Sequence, residues 1–116
     1  MTTNVRSANG DGLESAYTWR VPCAELDATE AARWESKLLD ELSGRDAGAF
    51  VVDLDGCRFI DSAGIGFLVR LYKAAQKRNV NVRLGNVRGH VLRVLRLMGI
   101  DQIVSIYPAT DERSFC

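Results

Sequence analysis

Two aspartates one residue apart, Asp53 and Asp55, follow the apolar run Phe50-Val51-Val52 and precede Gly56. A carboxylate at the end of a strand can attack phosphorus, and a second one two positions on can handle the leaving-group proton. That chemistry also needs further carboxylates to hold a divalent cation, or a lysine near the last strand to steady the phosphoryl group. Cys57 stands where a hydroxyl residue is wanted, no acidic pair closes the first strand, and the only lysines are Lys37, Lys73 and Lys77. An aspartyl-phosphate mechanism is not expected.

Ser62 offers a second possibility, because it lies in a strand-to-helix turn with Gly64 two residues after it. A hydrolase elbow needs a glycine on the other side as well, and there Ile60 stands. The only histidine, His90, precedes the only later structural acid, Asp101, which reverses the order that an α/β-hydrolase requires. Gly64-Ile65-Gly66 is half of a dinucleotide fingerprint, but Val69 holds the third glycine position. Three cysteines, Cys23, Cys57 and Cys116, form no Cys-x-x-Cys pair and cannot build a zinc site with a single histidine. No catalytic residue, metal or cofactor is therefore expected. An odd cysteine count without an export signal also argues against an obligatory disulfide, although Cys57, five residues from Ser62, could disturb that loop if oxidised.

These residues must be placed by one domain, since 116 residues suffice for a single core. Apolar residues at 47% and charged residues at 26% are ordinary for a globular domain. The longest stretch free of charge is the nine residues from Gln102 to Thr110, too short to cross a bilayer, and the first residues lack the apolar core of a signal peptide. A cytoplasmic location is expected, with no membrane partner. Fifteen basic residues balance fifteen acidic ones, which argues against direct nucleic-acid binding. The balance hides a split: residues 1–62 carry six Lys/Arg against twelve Asp/Glu, net −6, and residues 63–116 carry nine against three, net +6.

The pattern predicts a single domain over 1–116, with a loose lead-in over 1–12, a turn or hairpin at Asn9-Gly10-Asp11-Gly12, and a core over about 13–107. Tyr17, Trp19 and Val21 alternate as a strand before Pro22. Asp27 and Glu30 are spaced as a capping box, and Ala31, Trp34, Leu38 and Leu42 recur at helical period until Gly44. Phe50–Leu54 reads as a central strand covered on both faces. Ile65, Leu68, Val69, Tyr72 and Ala75 mark a second helix with Ser62 at its N-terminus. Val80, Val82 and Leu84 form the next strand, Val91, Val94, Leu95 and Met98 a third helix stopped by Gly99, and Ile103–Tyr107 a closing strand. Alternating strands and helices define an α/β class with a mostly parallel sheet of four to five strands.

A serine at a helix N-terminus ordinarily caps it by accepting a backbone hydrogen bond. Here Asp61 could cap equally well, and Ala63-Gly64-Ile65-Gly66 leaves the backbone open to a partner. Phe59-Ile60-Asp61-Ser62-Ala63-Gly64-Ile65-Gly66 resembles the phosphorylation loop of STAS domains of the anti-sigma-factor antagonist type. The likeness extends to Ala24-Glu25-Leu26-Asp27, Val51-Val52-Asp53-Leu54 and Val94–Ile100, in the same order and spacing over roughly residues 17–107.

The resemblance implies a STAS-like fold and no catalysis. It implies that Ser62 is phosphorylated by an anti-sigma factor that is also a serine kinase, and that a phosphatase acting on phospho-Ser62 resets the switch. The unphosphorylated form would bind that factor and release the sigma factor. Asp27, Asp61, Ser62, Ala63, Gly64 and Ile65 are the implied partner-binding residues. Gly64→Arg is expected to block docking while leaving the fold cooperative. The alternative is a non-catalytic scaffold or subunit of a stress-signalling or lipid-transport complex. Ala24 in place of the family's usual glycine, Glu30 in place of a common threonine, and Ala63, which lacks a hydroxyl, depart from the pattern; the nine residues after Tyr107 leave little for a fourth helix.

Overall fold

The computed structural model describes residues 16–45 and 48–110. The lead-in, the Asn9–Gly12 turn, Cys116 and most of the segment that would carry a fourth helix lie outside them. Among the described residues six strands and three helices follow in order: β1 (Ala16–Arg20), β2 (Glu25–Leu26), α1 (Ala28–Ser43), β3 (Gly48–Asp53), β4 (Phe59–Ile60), α2 (Ser62–Gln76), β5 (Val80–Val87), α3 (Gly89–Leu97) and β6 (Ser105–Pro108). Four of them form a parallel sheet in the order β1-β3-β5-β6, and β2 pairs with β4, also parallel, in a separate two-stranded unit. The α/β class and the parallel sheet are as the alternation predicts.

Register explains which side of the sheet is core. Tyr17 lies beside Phe50 and Phe50 beside Val82, while Trp19 lies beside Val52 and Val52 beside Leu84, so these side chains share one face. That face meets both long helices: Trp19 touches Trp34 of α1 at 5.8 Å and Phe67 of α2 at 6.4 Å between ring centroids. Leu38 and Leu42 from α1, with Phe67, Leu68 and Leu71 from α2, are fully buried against it, each contributing about 1.5–3 kcal/mol. The other face carries Thr18, Val51 and Arg83 in one row; Thr18 is exposed and the other two are half-buried. Cover of β3 on the second face holds at Ala49 and Asp53, which are buried, and lapses at Val51, which is half-buried because α1 and α2 both lie on the opposite side.

Two further boundaries differ from expectation. The closing strand starts at Ser105, because Ile100–Gln102 forms a 3₁₀ turn after Gly99, whose φ of 77° ends α3. Met98 leaves the core pattern and is 59% exposed, since it caps α3 beyond the last inward turn.

Candidate functional site

The two-residue strands β2 and β4 place the site. Leu26 pairs with Ile60, both side chains are buried, and each strand runs directly into a helix N-cap, Asp27 for α1 and Asp61 for α2. Ala24 O accepts from Arg58 N at 2.7 Å and Phe59 N at 3.1 Å, and Leu26 O accepts from Asp61 N at 3.4 Å. Continuing the parallel register sets Asp27 opposite Asp61, so two helix N-termini open side by side. Asp27 Oδ1 accepts from Glu30 N at 3.0 Å and Asp61 Oδ1 from Gly64 N at 2.9 Å. The capping box at Asp27 is only half made, because the Glu30 carboxylate turns to Trp34 Nε1 at 3.0 Å and Arg33 at 3.4 Å.

Since Asp61 does the capping, the Ser62 hydroxyl is spared that task. Ser62 is the first residue of α2, exposed, with no side-chain partner among the described residues. Ala63 beside it is half-buried. Gly64 and Ile65 turn inward: Ile65 is 8% exposed, and a Cβ on Gly64 would stand 2.2 Å from Leu26 O and 2.8 Å from Ile60 Cγ1. The expectation that Gly64→Arg spares the fold is overturned, because Gly64 lets α2 lie against the β2 backbone. Of the six residues singled out, Asp27, Asp61, Ser62 and Ala63 reach the surface together, and Gly64 and Ile65 support them from below.

Phe59, at the start of β4, is an exposed aromatic that the motif does not mark out. It is 42% exposed and stacks on His90 of α3 with centroids 5.2 Å apart and planes 5° from parallel. The only sequence signal is that Ile60 must face inward, which sends its strand neighbour outward.

The Asp53-x-Asp55 pair is structural. Asp53 is 9% exposed and accepts from Arg20 Nε at 3.3 Å, Asp55 N at 3.0 Å and Asn86 Nδ2 at 3.0 Å, fastening three strand ends. Asp55 receives Arg88 Nη2 at 2.7 Å. Among the described residues no group of three His, Cys, Asp or Glu side chains is placed to hold a metal ion, and no helix is long and apolar enough to cross a membrane.

Cys23 and Cys57 are free thiols. Cys57 is buried and donates to Phe59 O at 3.4 Å; burial raises its pKa. Burial, and then the charges of Glu30, Cys57 and Asp27, push the Cys23 thiol from 9.0 up to about 11. Only the thiolate alkylates, so Cys23 should react with iodoacetamide at neutral pH roughly a hundred-fold more slowly than an unperturbed thiol. Peptide-resolved labelling rates measure this, and reaction at the free-thiol rate would refute it.

A small α/β domain that lays two helix N-termini side by side, with an uncommitted serine at the tip of one, is the class of module defined here. The chain belongs to the STAS domain family, which matches residues 22–113. Its fold is similar to that of an anti-sigma-factor antagonist (STAS) domain protein from Planctomyces limnophilus, at 23% identity over 88% of each chain with a TM-score of 0.71. It is also similar to an anti-sigma factor antagonist from Mycobacterium paratuberculosis, at 25% identity over 96% of this chain and 88% of that one, TM-score 0.62. A third likeness is to the murine solute carrier 26 family member A9 anion transporter, at 20% identity over 82% of this chain and 16% of that one, TM-score 0.66.

Proposed function

We propose that this chain is an anti-sigma-factor antagonist switched by phosphorylation of Ser62. The observation that carries the reading is the division of labour at α2: Asp61 satisfies the Gly64 N–H, and the next side chain, Ser62, is exposed, its hydroxyl without a partner among the described residues. A kinase can reach that oxygen without unwinding the helix. The module needs no catalysis of its own; it binds a kinase-type anti-sigma factor through Asp27, Asp61, Ser62 and Ala63, and loses it when the phosphate is added. A phosphatase returns it to the binding state.

The test is phosphotransfer. Incubated with labelled ATP and its cognate anti-sigma kinase, the wild-type chain should take up one phosphate, and Ser62→Ala should bind the kinase but take up none. Label on Ser62→Ala would overturn the assignment. A wild-type chain that binds but is never labelled would instead make it a non-catalytic scaffold or subunit.

A further inference from the structure

The chains that lead into β2 and β4 already run side by side before those strands begin. Glu25 pairs with Phe59 and Leu26 with Ile60, and one residue earlier Ala24 O accepts from Arg58 N at 2.7 Å. One further step back in the same register sets Cys23 opposite Cys57. Neighbouring strands lie about 4.8 Å apart, and a disulfide joins residues whose Cα atoms are roughly 4.4–6.8 Å apart. The backbone therefore holds this pair of cysteines at bonding range.

The side chains agree with the backbone. Cys57 is buried and Cys23 half-buried, whereas Ala24, Glu25, Arg58 and Phe59, which separate them from the buried Leu26–Ile60 pair, are exposed. The Leu26 N–H faces the Cys57 sulfur and the Glu25 N–H faces the Cys23 sulfur, so both sulfurs lie against neighbouring peptide groups of β2. They are near enough for charge on Cys57 to help raise the pKa of Cys23. Both thiols are free in this structure, and the switch at Ser62 uses neither.

We infer that Cys23 and Cys57 form a modification site, at which a hydroperoxide joins them in an intrachain disulfide that ties β2 to β4 just before the two helix N-caps. The half-buried Cys23 is the point of entry. Its thiolate attacks the terminal oxygen of the peroxide; the O–O bond breaks, and the released oxyanion takes up the thiol proton and leaves as an alcohol, or as water when hydrogen peroxide reacts. The Cys57 sulfur then attacks the sulfenic sulfur so formed, the S–S bond closes, and the expelled hydroxide leaves as water with the Cys57 proton. Two thiols give up two electrons and one peroxide is reduced. The raised pKa of Cys23 slows the first step, so the bond answers sustained rather than brief oxidation. None of this depends on phosphorylation of Ser62.

The test treats the full chain carrying Cys116→Ser with hydrogen peroxide at about pH 9, where more of each thiol is ionised, until the product no longer changes. Denatured in N-ethylmaleimide, that product should take up no label; its unreduced digest should hold the Cys23 and Cys57 peptides joined, and dithiothreitol should restore both thiols. The bond closes a loop of about 35 residues, so the oxidised form should melt roughly 10 °C above the reduced one. Sulfinic or sulfonic acid on either cysteine, chains linked to each other, or thiols that still take up label would overturn the inference. Adding Cys23→Ser to the same chain should abolish the rise in melting temperature on oxidation. An equal rise without Cys23, or a joined form that melts no higher than the reduced one, would overturn the tie between the strands.

Discussion

Ser62→Asp should bind the proposed anti-sigma kinase about a hundred-fold more weakly than wild type while melting at an essentially unchanged temperature. The reason lies in what already surrounds the site. Asp61 caps α2, and register sets Asp27 of α1 opposite it, so a third negative group arrives where two carboxylates already stand. In the free protein the new charge sits exposed on the first residue of α2, where the positive helix end offsets about 0.3–1 kcal/mol of the repulsion. In the complex it must be desolvated beside Asp61 without a counter-ion, which costs on the order of 3 kcal/mol, close to two factors of ten in affinity. A phosphate with roughly −1.5 to −2 charges should act more strongly still. Calorimetric titration and a thermal melt of the same preparation separate the terms. Undiminished binding would remove Ser62 from the interface, and a large drop in melting temperature would show that the loss of binding comes from unfolding.

The parts of this fold that follow from period and caps were legible in the chain alone. Trp19 and Val21 alternate inward, Leu38 and Leu42 repeat on α1, and Gly99 ends α3, each as the pattern required. What the pattern could not supply was side. A strand of consecutive apolar residues reads as buried on both faces, yet Val51 is half open because both long helices cross the same face. Nor does any period mark β2 and β4, which have two residues each and exist because Leu26 and Ile60 pair across long sequence separation. Those two strands set Asp27 beside Asp61. Ser62 stands out in the sequence because its neighbour Asp61 can cap the helix equally well; the Phe59–His90 stack does not, since it arises where β4 meets α3.

The same two strands give the largest expected effect on stability. Gly64→Ala should destabilise the domain by about 3 kcal/mol, and thereby lower its melting temperature by roughly 10–15 °C, although alanine is the better helix former by about 0.5–1 kcal/mol. The added Cβ would lie 2.2 Å from Leu26 O and 2.8 Å from Ile60 Cγ1. The first is backbone in the β2–β4 ladder, held by the Asp61 N–H at 3.4 Å, and the second is a buried side chain 2% exposed, so neither can move without shifting strand or helix. Gly66, two residues on in the same helix, supplies the control. Its nearest neighbour to a new Cβ is Arg70 Nη1 at 3.2 Å, the far end of a half-exposed side chain that is paired with Glu35 through Nε and Nη2 and need yield only a little at its tip. Gly66→Ala should therefore keep the helix-propensity gain and raise the melting temperature by a few degrees. Opposite signs from one chemical change, at two positions on one helix, would isolate close approach as the cause. Two melts shifted alike would refute it, because propensity alone predicts the same stabilisation at both sites.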